Sequence, residues 1–415
     1  INIITIKYDV SKAHRRTAAL PKDWRHLVVR LEDEHGRTEY WIDLVHTYGV
    51  ASTQHYWGRT AAAFTRLQYQ LDGEIIYVFV YVDDYSLLVR GANPIALATY
   101  IFAIIETYGL PVAYNKIYIG YDETYVGYIT HLKTHRLDIT DEKKHSLQQL
   151  AEQIMRGNPL PFKLVITYTH RLQWATQILE LLRAFLAPLY AFLKGHNAYA
   201  NKDAIRTPPA LVRFVITYIQ TQLQRTPSQG TEFREPLPGT GATDAGTGDN
   251  RAGIGGWHSP TGDTTNKWNV DWFMVPVTPT THPWAYAKNY DPQLLIACLE
   301  ELGDIYYTEY LAQTYSGYAG THIAQANTDN KGNTYIINKH YTSKFPGCCL
   351  TMELVDRTTQ SDLYLRVEHK DRSQNIWADQ LADLNDTGFN PARRWKPTQP
   401  LTMFETTYAL AQQMG

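Results

Sequence analysis

The sequence predicts an α+β protein of more than one domain, and three observations carry that prediction. Runs of β-branched and aromatic residues come in pairs joined by short polar turns, as in Tyr77–Val89, where Asp83 and Asp84 sit between two such runs. Helical stretches with apolar residues three and four apart alternate with these pairs. A segment rich in Pro, Gly and Thr, residues 226–242, then separates the first part of the chain from a second that starts again with strands.

At 415 residues the chain has room for two or three cores. Hydrophobic residues make up 44% and charged residues 19%, a globular balance rather than a disordered one. The formal net charge of −2 gives no global basic signal for nucleic acid. Three cysteines, two of them adjacent, form neither a disulfide framework nor a zinc pattern. With no signal-peptide layout and no apolar run long enough to span a bilayer, the expected location is intracellular, cytoplasmic or nuclear, with no membrane partner. The chain opens without Met and enters a β-rich run at once, which suggests that a segment upstream is missing or lies on another chain.

The elements follow in order. Ile1–Val10 is a strand that ends in an acid, Asp9, ahead of the polar turn Ser11–Arg16. Leu27–Leu31 and Thr38–Val45 are strands joined by Glu34-His35-Gly36. Trp57–Leu67, with its Ala-rich run, is a helix, and residues 94–109 form a second. Val112–Lys116 and Thr124–Thr130 complete an order of β, ββ, α, ββ, α, ββ, a sheet with helices on one side. Thr140–Lys143 supplies a cap and first-turn acids for a helix reaching Arg156. A longer helix is expected from Leu172 to Lys194, broken near Pro188, and another from about Ala210 to Gln224. Beyond the linker, Ile254–His258, Trp268–Val275 and Leu363–His369 are strands, and Asp291-Pro292 starts a helix as an Asp cap followed by Pro.

For the Asp83–Asp84 turn alone, solvated turn acids are a sufficient reading, because Asp suits turns. A metal-binding reading needs a third carboxylate, and Asp9 offers one. Tyr81-Val82-Asp83-Asp84 resembles the catalytic box of reverse transcriptases, and Asp9…Ala13 resembles the earlier acid-bearing motif of the same palm domain. Tyr48–Ser52, with Gly49 and Ser52, resembles the motif that packs against template and incoming nucleotide; Asn115-Lys116 resembles the lysine motif, and Tyr125–Tyr128 the primer-grip hairpin. The resemblance implies that Asp9, Asp83 and Asp84 hold two Mg²⁺ or Mn²⁺ ions and that His14, Gly49, Ser52 and Lys116 line the nucleotide pocket. His14 stands where that family carries a Phe or Tyr sugar gate, a departure that bears on sugar selectivity. The family's fingers precede the Asp9 motif, so the resemblance covers a palm without them.

In the last part, Thr243-Asp244-Ala245, Leu299-Glu300, Thr328-Asp329-Asn330 and Trp377-Ala378-Asp379, with His369 upstream of Asp379, resemble the RNase H domain fused to retroelement reverse transcriptases. Three of these acids have a simpler reading: Asp244 a loop acid, Glu300 a solvated helix acid with Glu301 one register away, Asp379 an acid favoured by a helix start. Together they imply a second site with two Mg²⁺ or Mn²⁺ ions, held by Asp244, Glu300, Asp329 and Asp379 and served by a mobile His369.

The resemblance implies a palm over residues 1–135, a helical thumb and connection over 136–240, an RNase H-like α/β domain over 241–395 and a C-terminal tail over 396–415. Its RNA-directed DNA polymerase and RNase H activities require an RNA template, a DNA primer, dNTPs and RNA–DNA hybrid, and the nearest element types are DIRS-like or gypsy-like retroelements. Two other readings stay open: a decayed or domesticated element that binds nucleic acid without turnover, and an unrelated metal-dependent phosphatase or nuclease. The Trp- and Pro-rich insertion between Asp244 and Glu300 has no place in the resemblance. In the tail, Arg393, Arg394 and Lys396 stand beside aromatics, either to touch nucleic acid or as part of a terminal linker.

Overall fold

The computed structural model describes residues 2–47, 49–71, 75–91, 93–157, 159–225, 234–248, 251–289, 291–318 and 320–414. The chain divides into two compact units, Ile1–Thr140 and Asp141–Gly415. No helix among the described residues is long and apolar enough to cross a membrane.

The first unit is built on β1 (Asn2–Asp9). A hairpin of β2 (Val28–Glu32) and β3 (Thr38–Ile42) precedes α1 (Ala51–Leu71), which starts well before the Ala-rich run. Then come β4 (Ile75–Tyr81), β5 (Asp84–Gly91) and α2 (Pro94–Thr107), with Asn93 capping α2 and Pro94 at its first position. The sheet order is β4-β5-β1-β6, where β6 is Tyr118–Gly120; residues 114–116, expected as strand, form a 3₁₀ turn. A second small sheet comprises β7 (Asp122–Tyr125), β8 (Tyr128–His131) and β9 (Arg136–Ile139).

Strand alternation sorts the first sheet into two faces. Ile4, Ile6 and Tyr8 of β1 and Tyr85, Leu87 and Val89 of β5 share a core with Trp57, Ala61 and Phe64 of α1 and Ala98, Ile101 and Ile105 of α2. Both helices therefore cover one face. The other face carries Thr5, Lys7 and Asp9 opposite Leu88, Ser86 and Asp84. There Glu123 of β7, itself buried, accepts hydrogen bonds from Thr5 and Ser86.

The second unit begins with α3 (Asp141–Arg156), the short β10 (Leu160–Pro161), α4 (Phe162–Ala175), α5 (Leu186–Gly195), β11 (Ile205–Arg206) and α6 (Ala210–Gln224). The expected long helix breaks at residues 176–179, ahead of Pro188. Pro188 instead falls in the first turn of α5, where a missing N–H leaves no hydrogen bond unmade.

A six-stranded mixed sheet follows: β12 (Glu235–Pro236), β13 (Thr240–Gly248), β14 (Arg251–Ser259), β15 (Asp271–Val277), β16 (His322–Thr328) and, after helices α7 (Ile296–Thr314), α8 (Lys331–Lys339) and α9 (Gly347–Ser361), β17 (Leu363–His369). The strands β13, β14 and β15 run as an antiparallel meander, while β13–β16 and β16–β17 are parallel pairs. Of the expected linker, residues 226–233 lie outside the described residues, and the rest supplies β12 and the start of β13.

Helix α10 (Ile376–Ala382) lies on the face carrying Ala242 and Trp257, and α7 lies on the other, where its Gly303 meets Thr243 and Ile254. The tail is no linker. Trp395 donates from its backbone to the Trp272 carbonyl at 2.7 Å, and Arg394 lies over the Trp272 ring. It ends in α11 (Thr402–Gln412), which packs on α9 through Met403 and Phe404. The insertion after Asp244 supplies β14, β15 and a turn whose Trp284 stacks edge-on against Phe404.

Candidate metal centres

In the first unit the acids gather at one end of the polar face. Asp9 is the last residue of β1 and stands opposite Asp84, the first of β5. Asp83 lies in the intervening turn, where its carbonyl accepts the Val10 N–H at 3.0 Å. This turn is tight because Val82 takes φ +60°, a conformation that a β-branched residue adopts only under constraint. Two bonds supply the constraint. The Trp57 indole N–H donates to the Val82 carbonyl, and the Tyr125 hydroxyl donates to the Asp84 carbonyl at 3.2 Å.

Asp9 is buried, and Lys116 Nζ lies 3.0 Å from its Oδ2. The lysine is delivered by the 3₁₀ turn after α2, where the Ala113 N–H bonds the Asp9 carbonyl at 2.9 Å. Burial raises the Asp84 pKa above its usual range; Lys7 pulls it back, while Asp9 and Asp83 push it further up.

The remaining pocket candidates are placed as follows. His14 is buried in the 3₁₀ turn Ala13–Arg16 directly after β1. Gly49, at φ +85°, turns the chain into α1, and Ser52 is exposed in the first turn of that helix. Tyr48 of the same motif lies outside the described residues.

In the second unit Asp244 sits on β13, Glu300 on α7 and Asp329 just past β16. Parallel pairing of Ala242 with Asn327 puts positions 244 and 329 level, two residues further along each strand. Among the described residues, Asp244, Glu300 and Asp329 are the one set of three whose ligand atoms all lie within 4.8 Å of one another. The carboxylates of Asp9, Asp83 and Asp84 do not meet that spacing.

Neutral amides hold these acids. Asn333 Nδ2 donates to Glu300 Oε2 at 3.1 Å, and Asn375 Nδ2 to Asp244 Oδ2 at 3.4 Å. The Ala245 N–H bonds Asp244 Oδ1 at 2.8 Å. Sequence reading missed both asparagines, because an amide becomes informative only when the fold sets it beside a carboxylate. Asn375 reaches its place because α10 lies against bare backbone. A Cβ on Gly255, the partner of Asp244 across β13–β14, would sit 2.4 Å from the Ala382 nitrogen.

Burial, then the neighbouring Asp329 charge, pushes Asp244 up to about 7. Burial, then Asp244, pushes Glu300 up to about 8. Asp244 and Glu300 so held resist ionising together without a cation between them. An all-oxygen donor set of this kind suits a hard divalent ion such as Mg²⁺ or Mn²⁺ and offers nothing to a soft one. The neighbouring Glu301 faces elsewhere, accepting the Thr351 hydroxyl at 2.6 Å inside the core.

Two expected members stand at the edge of this set. Asp379, in the first turn of α10, is bound by Arg372, whose Nη2 lies 2.9 Å from its Oδ1. His369 ends β17 in register with Thr328, so it lies beside the strand end that carries Asp329.

No family model matches the chain, and no curated protein matches it. Among solved structures, the chain is similar to the foamy viral protease–reverse transcriptase: the dRH form with double-stranded DNA (TM-score 0.44, 11% identity, 88% of this chain and 56% of that one) and the complex with RNA/DNA hybrid (0.43, 11%, 96% and 47%). A further complex with double-stranded DNA gives a TM-score of 0.42 at 13% identity, over 89% of this chain and 68% of that one. The chain spans about half the length of the first two.

Proposed function

We propose that the second unit hydrolyses the RNA strand of an RNA–DNA hybrid, and that the chain is a reverse transcriptase–RNase H portion of a DIRS-like or gypsy-like retroelement. The observation that carries this reading is the convergence of Asp244 from the middle of β13, Glu300 from α7 and Asp329 from just past β16 onto one small volume. Two Mg²⁺ or Mn²⁺ ions bound there supply charge neutralisation at the scissile phosphate and a water of lowered pKa. The chain's own groups hold and orient the carboxylates: Asn375 fixes Asp244 and Asn333 fixes Glu300. His369, at the adjoining strand end, relays a proton during product release, and Asp379, bound by Arg372, stands at the edge of the acid set.

For the first unit the same reading assigns metal binding and nucleotide addition to Asp9, Asp83 and Asp84. RNA template, DNA primer and dNTP are its substrates, and His14, Gly49, Ser52 and Lys116 line the pocket. One observation favours the rival for this unit, nucleic-acid binding without turnover. The three carboxylates do not converge, and Lys116 already neutralises Asp9.

The test is cleavage of an RNA–DNA hybrid labelled on the RNA strand, with Mg²⁺ and with Mn²⁺. Wild type is expected to cut and Asp329→Asn to lose at least about 100-fold in rate, the scale of removing a group that acts on the transition-state charge. Equal cutting by both proteins sinks the assignment. Primer extension by wild type and Asp83→Asn decides between the two readings of the first unit.

A further inference from the structure

Asp379 is the one expected acid of the second site that stands outside the convergent set, and its partner is an arginine that the motif reading did not single out. Arg372 lies in the short 3₁₀ turn between β17 and α10. Its Nη2 binds Asp379 Oδ1 at 2.9 Å, while the arginine side chain remains 80% exposed. As a stabilising element this pair is unnecessary. An exposed ion pair contributes little, and an acid in the first turn of a helix is already favoured by the backbone N–H groups there. Its position is the informative feature: Arg372 lies three residues before Asn375, whose amide reaches Asp244, and three after His369, which pairs with Thr328 beside Asp329. A cation thus stands at the rim of the acid set, one edge of its planar fork fixed by Asp379 and the remaining donors turned to solvent.

We propose that Arg372 is a substrate-positioning residue. Held by Asp379, it grips a non-bridging oxygen of the phosphodiester next to the one presented to Asp244, Glu300 and Asp329. A guanidinium suits this task because its fork matches phosphate oxygens two at a time, and because pre-orientation by a carboxylate reduces the side-chain entropy lost on binding. The site's own charge also requires such a group. Three carboxylates repel a polyanion along the whole approach, and metal ions at their centre offset that repulsion only locally. The inference rests on the reading of this site as one that hydrolyses hybrid.

The experiment measures binding of a fluorescent RNA–DNA hybrid by anisotropy across a salt series, with Ca²⁺ in place of Mg²⁺, for wild type, Arg372→Gln, Arg372→Lys and Asp379→Asn. Steady-state cleavage in Mg²⁺ and circular dichroism on each protein accompany it. Arg372→Gln is expected to bind about 10-fold more weakly, with a salt slope smaller by about one, and to raise KM with little change in kcat. Arg372→Lys keeps the slope and recovers part of the affinity, since it restores the charge but not the fork. Asp379→Asn weakens binding by less than Arg372→Gln and adds little to it in the double variant. If Arg372→Gln binds as wild type does, or more tightly, while wild type cleaves and Asp329→Asn does not, this inference alone falls. A wild type that neither binds nor cleaves hybrid overturns the inference together with the proposed function.

Discussion

Asp9 and Asp84 face each other directly across the antiparallel pair β1–β5. Like charges in that relation repel; Lys116 at Asp9 and Lys7 near Asp84 offset part of this, and the hairpin tip is anchored from outside the sheet. Tyr125 reaches the Asp84 carbonyl at 3.2 Å and Trp57 reaches the Val82 carbonyl. Tyr125→Phe is therefore expected to cost about 1 kcal/mol, the usual net value of one hydrogen bond. Its local effect is larger, and amide exchange across residues 80–86 should speed up while α2 keeps its protection. Unchanged exchange at the tip would show that the hydroxyl has no part in holding it.

The β7–β8 turn offers a gain in stability. Val126 and Gly127 both take positive φ, +50° and +84°, the pattern of a type I′ hairpin turn. Asn accepts the first of these positions and Val resists it by about 1–2 kcal/mol. Val126→Asn should raise stability by about 1 kcal/mol, read as a higher melting temperature, the lost contact of a half-buried side chain being the smaller effect. A lower melting temperature would show that packing outweighs backbone strain there.

Where local rules decide, the fold was legible in the chain. Strand β17 matches the sequence reading at both ends, as does α6 at Ala210 and Gln224, since alternation, periodicity and flanking prolines are all short-range. Proline disrupts helix interiors, which points to a break near Pro188; the chain turns earlier, and that same proline falls in the first turn of α5. Helix α11 is not legible because its buried residues Met403, Phe404 and Thr407 gain their meaning only from α9 and from Trp284, both distant in sequence. Glu300 and Glu301 are neighbours in sequence and equally acidic. Only the rotation of α7 sends the first toward Asp244 and the second into the core against Thr351. Arg372 was overlooked for the same reason as Asn333 and Asn375: nothing local distinguishes them.

The core of the second unit contains an ion-pair triad that ties the tail down. Arg357 binds Glu309 and Glu353, each at 2.8 Å, with all three side chains nearly inaccessible. Glu309 also accepts the Thr398 and Gln399 N–H groups, and Glu353 accepts that of Phe404. Arg357→Leu leaves two buried carboxylates without their cation, and a loss of about 3–5 kcal/mol is expected. Cleavage by a protease under native conditions should then appear first between Lys396 and Leu401. A variant as stable and as protease-resistant as wild type would mean that the triad is dispensable.

The acids of α7 and β13 make stability depend on pH in a direction opposite to that of most carboxylates. Asp244 and Asp304 titrate near 7 and Glu300 and Glu301 near 8, against ordinary values of 3.8 and 4.5, and burial is the leading cause for all four. A group whose folded value is raised contributes its stability in full below the unfolded value and loses it as pH climbs through the folded one. Without metal, the chain should therefore melt higher at pH 5 than at pH 8.5, by on the order of 5–10 °C for a unit of this size. Mg²⁺ at pH 8.5 should recover the part due to Asp244 and Glu300, because ligation favours their ionised forms. It should leave the part due to Glu301 and Asp304, which lie in the core. Asp329→Asn separates the two contributions. Removing that charge relieves Asp244, for which Asp329 is the second cause of the shift, so the metal-free variant should melt above wild type at pH 8.5 and respond little to Mg²⁺. A Mg²⁺ response equal in both proteins would remove Asp244, Glu300 and Asp329 as the metal-binding set, and a melting temperature that rises from pH 5 to 8.5 would show that burial does not hold these acids neutral.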